Sequence, residues 1–356
     1  MEKILITRLG AMGDIIHSLP AVAALRRSFP GVKIGWVVEE RWLELLCAPS
    51  ALKLESAGSP ERPLVDYIHL SNTRAWRLAP FSDETWLEMR AFARALREPK
   101  YETAVDLQAA ARSALICRLS GAAVRMGFRR PRERWARLFY TQTVETPATH
   151  VVEQAMQLAS AISGKLVNDA EFPLPRDPEA EQWCAAKLEI LELRNRHFAI
   201  ISPGAGWGAK CWPADRYGAL AQALERQNVA SLVNCGPGEE ALARAVAKAS
   251  RGAARIVNCT IGQLIALTRH ALLFIAGDSG PTHLAAALGV PVLAIYGPTN
   301  PARNGPYGPK GSRQIVLRSA DSKTSHARRT APEQGLLQIE LEQVLQASRA
   351  LLEDRA

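Results

Sequence analysis

Short, wholly apolar runs recur along this chain, and after almost every one comes a segment patterned for a helix. That alternation is the feature that most restricts the fold. A strand apolar on both faces must be buried on both faces, as happens in parallel sheets covered by their crossover helices. Lys3 to Thr7 is such a run, followed by a loop, Arg8 to Gly13, and a helix expected from about Ile15 to Ser28. Phe29-Pro30-Gly31 breaks that helix, and Lys33 to Val38 reads as the next strand, which makes the opening a βαβ unit. Runs around Thr103 to Leu107 and Ala122 to Gly127 continue the sheet. Amphipathic helices are expected over Asp83 to Arg97 and His150 to Ser163.

Glu171 to Glu179 (E-F-P-L-P-R-D-P-E) is the most proline-dense stretch and reads as a linker. The 356 residues are too many for one ordinary core, so two domains are expected, 1–172 and 180–356. In the second, a helix from Pro178 to about Leu193 leads into strands at His197 to Ser202, Val229 to Asn234, Ala254 to Val257, Ala271 to Ala276 and Pro291 to Tyr296. Helices at Ala214 to Gln227, Gly238 to Ser250, Ile261 to Thr268 and Pro281 to Leu288 alternate with them. Ser319 to Gln334 is polar and irregular, and a last helix, about Gln338 to Leu352, spaces its leucines along one face.

Composition narrows the function classes. Hydrophobic residues at 47% and charged residues at 22% are ordinary for a globular protein. No apolar stretch approaches the roughly 20 residues a membrane-spanning helix needs. The start, Met1-Glu2-Lys3 before Ile4-Leu5-Ile6, is a short buried strand and not a signal peptide, so a cytoplasmic protein is expected. The six cysteines are scattered with no C-x-x-C pair, which offers no metal site and no disulfide framework. The net charge of +9 is concentrated between Arg112 and Tyr140, where eight arginines face only Glu133. Such a stretch steers nucleic acid, anionic lipid or an acidic substrate alike. Without interleaved aromatic residues or a nucleic-acid module, an anionic glycolipid fits better than nucleic acid.

Three segments carry chemistry. In Ala276 to Leu288 (A-G-D-S-G-P-T-H-L-A-A-A-L) a buried strand ends in Gly277-Asp278-Ser279-Gly280 and Pro281 opens a helix. Glycines admit a close ligand and the first amides of a helix attract anions, so a diphosphate suits this segment, with Ser279, Thr282 and His283 beside it. The alternative is a plain helix cap formed by Asp278 or Ser279. Ser202 to Trp212 (S-P-G-A-G-W-G-A-K-C-W) is a glycine-rich loop with one lysine, Lys210, suited to neutralising a departing diphosphate. It lacks the G-K-[ST] ending of a Walker loop, and Lys210 could instead be a surface lysine. Arg8 to His17 (R-L-G-A-M-G-D-I-I-H) lacks the G-x-G-x-x-G spacing, which counts against a nicotinamide oxidoreductase or an epimerase. Its Asp14 could take a proton from an acceptor hydroxyl or merely cap the helix.

Taken together, and in this order, these segments resemble glycosyltransferase family 9, the heptosyltransferases of lipopolysaccharide core synthesis. Arg8 to Pro20, Gly35 to Glu40, Lys210-Cys211-Trp212-Pro213, Gly277 to His283 and Tyr296-Gly297-Pro298-Thr299 carry the likeness nearly end to end. Thr73 to Arg77, Arg134 to Tyr140 and His150 are most similar to the heptosyltransferase I branch. The resemblance implies a GT-B type α/β fold of two facing Rossmann-like domains, the last helix packing back on the N-terminal one. It also implies inverting, metal-independent transfer of L-glycero-D-manno-heptose from ADP-heptose to a Kdo residue of Kdo-lipid A, by a monomer at the inner face of the cytoplasmic membrane. Asp14 would be the general base and Lys210 would stabilise the ADP leaving group. Ser202, Gly204, Glu239, Asp278, Ser279, Gly280, Thr282 and His283 would bind the nucleotide sugar, with Glu239 or Glu240 at the ribose. Gly13, Arg74, Arg77, Gln108, Arg129, Arg130 and Arg134 would bind the acceptor. Two departures stand out. Members often carry glycine where this chain has Ala109, and some carry cysteines where it has Ser325, His326 and Ala327.

Overall fold

The computed structural model describes residues 1–54, 56–325 and 327–353. It divides into two compact units, Met1–Asp177 and the chain from Pro178 onward.

The first unit runs β1 (Lys3–Thr7), α1 (Met12–Ile16), α2 (Leu19–Ser28), β2 (Lys33–Glu39), β3 (Tyr67–Ser71), α3 (Thr73–Leu78), α4 (Asp83–Arg97), β4 (Thr103–Asp106), α5 (Ala111–Leu119), β5 (Val124–Phe128), β6 (Gln142–Val144) and α6 (Val151–Ser163). Its six strands are all parallel, in the order β3-β2-β1-β4-β5-β6. Leu5, Val37 and Ala104, on adjacent strands, bury against Leu96 of α4 and Ile116 of α5. Where the pattern suggests one helix from Ile15 to Ser28, the chain makes two. Pro20 lacks the N–H that would bond back to Ile16, and it is tolerated in the opening turn of a new helix, α2.

The second unit runs α7 (Pro178–Ile190), β7 (Phe198–Ser202), α8 (Ala214–Glu225), β8 (Ala230–Cys235), α9 (Glu240–Ala249), β9 (Ala254–Asn258), α10 (Ile261–Arg269), β10 (Leu273–Gly277), α11 (Gly280–Ala287), β11 (Val292–Tyr296), α12 (Pro301–Asn304), β12 (Gln314–Arg318), α13 (Gln334–Leu337) and α14 (Leu341–Glu353). Its parallel sheet reads β9-β8-β7-β10-β11-β12, the same order as the first. The last helix, α14, packs within its own unit. Val344, Leu345, Ala347 and Leu351 of α14 are buried in the second unit's own core with Leu293, Ile295 and Trp212, because the apolar face of α14 completes the cover over that sheet.

Each sheet therefore has its first and fourth strands side by side, with the order running outward in opposite directions from that pair. Loops leaving the carboxyl ends of such a pair diverge to opposite faces and leave a crevice, which is where doubly wound folds bind ligands. In the first unit those loops follow β1 and β4, and in the second they follow β7 and β10. Among the described residues, no helix is long and apolar enough to cross a membrane. All six cysteines are free thiols.

Candidate active site

In the second unit, β7 and β10 pair so that Ser202 lies beside Ala276. Lys210, leaving β7, and Asp278, leaving β10, form an ion pair with both side chains about nine-tenths buried. The Lys210 ammonium also stands 4.1 Å from the ring centre of Trp207, and the Arg328 guanidinium is 5.6 Å from the same ring. The other oxygen of Asp278 lies 3.6 Å from Nε2 of His283, one turn into α11. Burial pushes the Asp278 carboxyl up. The imidazole of His283 and the charge of Lys210 outweigh it and hold the group well below the usual carboxylate range. Gly277 is required where these loops converge, since a Cβ there would stand 2.9 Å from the Lys210 carbonyl oxygen.

The plain-cap alternative is not what the chain builds. Ser279 occupies the capping position of α11 but makes no side-chain cap hydrogen bond, and its hydroxyl meets that of Thr282 at 3.1 Å. Asp278 is committed to Lys210 and His283. Gly280 opens the helix and Pro281 sits in its first turn. The amides at this start carry the partial positive charge that favours a phosphate. Two residues expected at the ligand also hold the frame. Ser202 is buried and accepts from the Asn234 amide at 3.1 Å, while buried Thr282 donates to the Gly277 carbonyl. Gly204 packs against Glu239, whose carboxylate accepts from the Gly236 N–H at 3.1 Å. Burial raises the Glu239 carboxyl and neighbouring Glu240 adds to the effect, against the lowering by the Gly236 N–H.

One contributor is missed by the sequence reading. The polar stretch after β12 is a strap that backs the Lys210 loop. The Ala209 N–H donates to the Arg329 carbonyl at 3.0 Å, and the Glu333 N–H donates to the Ala209 carbonyl at 3.2 Å. Glu333 also caps α13 by accepting from the Leu336 N–H at 3.0 Å and takes a hydrogen bond from Ser322 at 3.0 Å. The available signal is an acidic residue directly before a short apolar helix. His326 lies outside the described residues.

In the first unit, Asp14 sits in the first turn of α1. One carboxylate oxygen accepts from the Ala11 N–H at 3.1 Å and the other pairs with Arg8 at 2.7 Å. It caps its own helix and still leaves 43% of its side chain open to solvent. Arg8 bridges the two loops, bonding the Asp14 carbonyl at 3.2 Å and the Leu107 carbonyl beyond β4. Gln108, expected at the acceptor, is buried, with Oε1 accepting from the Leu9 N–H at 2.8 Å. Fully buried Asp106 holds this corner by accepting from Gln108 and Ala109 N–H groups, Ser113 and Tyr140. Ala109 has φ of +57°, the left-handed region that favours glycine, which accounts for the glycine expected there.

The remaining acceptor candidates are spread over this unit. Gly13 is buried inside α1. Arg129 and Arg130 both pair with Glu145, at 3.2 and 3.5 Å. Arg134 lies 5.0 Å from the ring centre of Trp135. Arg77 is exposed on α3, and the side chain of Arg74 lies outside the described residues.

Two Rossmann-like domains, each with chemistry-bearing residues at the carboxyl edge of a parallel sheet, are the plan of a GT-B glycosyltransferase. The chain belongs to glycosyltransferase family 9 (heptosyltransferase), whose model matches residues 89–336. It is 27% identical to lipopolysaccharide heptosyltransferase 1 of Escherichia coli, over 93% of this chain and 96% of that protein. The protein of the same name from Pseudomonas aeruginosa is 28% identical, over 86% and 81%. The solved structure of the E. coli heptosyltransferase WaaC with ADP superposes with a TM-score of 0.79 at 25% identity, covering 98% of this chain and 99% of that one. A family 9 glycosyl transferase from Veillonella parvula, at 20% identity, shares the fold with a TM-score of 0.81. The protein is a glycosyltransferase enzyme.

Proposed function

We propose that the protein transfers L-glycero-D-manno-heptose from ADP-heptose to a Kdo residue of Kdo-lipid A, building the inner core of lipopolysaccharide. The observation that carries this reading is the buried ion pair of Lys210 and Asp278 beside His283 at the switch point of the second sheet. Lys210 is an ammonium held in place before any phosphate arrives. On donor binding it turns to the diphosphate, and its charge stabilises ADP as the bond from the anomeric carbon to the phosphate oxygen breaks. Preorganised charge of this kind lowers the barrier without a metal ion, because the lysine answers the negative charge gathering on the leaving oxygen. Asp14 takes the proton of the attacking Kdo hydroxyl as the new glycosidic bond forms, with inversion at the anomeric carbon. Glu239 holds the ribose, and the arginines of the first unit hold acceptor phosphates and carboxylates. The reaction takes place at the inner face of the cytoplasmic membrane, with the enzyme as a monomer on an anionic surface. The test is turnover of purified protein with ADP-heptose and defined acceptors. Heptosylated Kdo-lipid A is the expected product, and turnover on an already heptosylated acceptor alone overturns the assignment.

A further inference from the structure

Most of the large apolar side chains exposed among the described residues lie between Leu78 and Leu138, in one unit. Leu78 and Phe81 are 79% and 92% exposed, at the end of α3 and in the turn before α4, and Trp86 and Leu87 project from the first turns of α4. Leu115 on α5, with Trp135 and Leu138 (70% exposed) on the three-ten turn Arg134–Phe139, make a second group. The groups are carried by neighbouring elements. Trp76 of α3 donates to Glu88 of α4 at 2.8 Å and packs edge-on against Phe92. Arg97 at the end of α4 donates to the Leu119 carbonyl at the end of α5, and the three-ten turn packs on α5. These elements also start at the same edge of the sheet: α3 follows β3, α5 follows β4 and the turn follows β5. That is the carboxyl edge, where Asp14 follows β1.

Solvent-facing leucine, phenylalanine and tryptophan at this density are a cost to a protein that stays in water. Exposed arginines are carried by the same elements, Arg77 on α3, Arg90 and Arg94 on α4, Arg112 and Arg118 on α5, and Arg137 on the three-ten turn. Exposed apolar side chains, tryptophans and arginines carried together match the boundary between acyl chains and anionic headgroups. A nucleic acid would be served by the arginines but not by Phe81 or Leu138. We infer that this rim of the first unit inserts into an anionic phospholipid bilayer, with Leu78, Phe81, Leu87 and Leu138 entering the acyl boundary and the arginines holding phosphates. The inference deepens the reading above, in which the acceptor is a lipid. It sets the carboxyl edge of the first sheet at headgroup level, where a lipid-borne sugar would be presented.

The test uses the full chain and acceptor-free vesicles, so it needs no turnover and stands apart from the heptosyl assignment. Vesicles of phosphatidylethanolamine with phosphatidylglycerol should sediment the protein at least about tenfold better than phosphatidylcholine vesicles. Phe81→Ser with Leu138→Ser should lose at least about tenfold of that binding while keeping the parent's circular dichroism and its ADP affinity. Lipids brominated along the acyl chain should quench tryptophan fluorescence, and Trp86→Phe with Trp135→Phe should remove most of the quenching. Equal sedimentation of the serine variant and the parent, or no quenching in the parent, overturns the inference. Association of the parent into dimers that the serine variant abolishes, with no vesicle binding, overturns it in favour of a self-interface. Vesicle binding without any heptosyl transfer sustains the surface and defeats the assigned reaction.

Discussion

Lys210 and Asp278, 68 residues apart in the chain, meet because β7 and β10 are neighbours in the second sheet and each hands its loop to the same edge. The pair is buried, and its members are unequal without each other. Lys210→Ala leaves a carboxylate in a poorly solvated place, at a cost of about 3 kcal/mol, and removes the charge assigned to ADP. Urea unfolding and ADP titration should both show the loss, with kcat/KM down at least about 100-fold. Adding Asp278→Asn should restore much of the stability and none of the ADP affinity. Full recovery of affinity in the double variant would refute the role given to the ammonium.

Asp14→Asn keeps the size of the side chain while ending its capacity to take a proton. Transfer should slow at least about 100-fold, with ADP-heptose affinity within about twofold of the parent. The check is single-turnover kinetics beside calorimetric donor binding. An active variant removes Asp14 from the chemistry and leaves it the duty of holding Ala11 and Arg8.

Ala109 pays for a left-handed backbone that glycine adopts freely. Ala109→Gly should raise stability by about 1 kcal/mol, read as a higher urea midpoint, and leave turnover within twofold. A lower midpoint would show that the methyl group packs better than the backbone angle implies.

His69 is buried on β3 with its Nε2 2.7 Å from the Tyr101 hydroxyl, and burial lowers its pKa to about 4. The native state therefore holds it neutral where an unfolded chain, titrating near 6.5, takes up a proton. The stabilisation is complete above about pH 6.5 and disappears as pH falls toward 4. Between pH 7 and 4.5 the parent should lose roughly 2 kcal/mol more than His69→Gln, which has no proton to gain. Parallel urea curves for the two proteins across that range would dismiss the effect.

The interior strands were legible because Ile4, Leu5 and Ile6, or Phe198 to Ser202, leave no polar face to misread. The edges were not. β6 is three residues with two of them exposed, and β12 is only half buried throughout, so neither carries the unbroken apolar run of a central strand. At the site, Asp14, Lys210 and Asp278 were visible as residue types in glycine-rich turns. Their partners were not, since Arg8 with Leu107 and Lys210 with Asp278 are matters of strand order. Ser202, Gln108 and Thr282 have partners that were equally hidden. Their polar groups suggest ligands, and each is also tied to the frame by a hydrogen bond that the sequence did not announce. Trp86 and Leu87 sit in a helix pattern read correctly from the sequence, which could not tell that this part of α4 would face outward.

The strap that backs Ala209 and Lys210 comes from more than a hundred residues downstream, at Arg329 and Glu333. During synthesis the lysine-bearing loop is made long before the segment that braces it. A nascent chain halted short of Glu333 would carry both sheets and Asp278 but hold the ammonium on an unbraced turn. Tight nucleotide capture should accordingly be a late acquisition, gained only when the segment through Glu333 has left the ribosome.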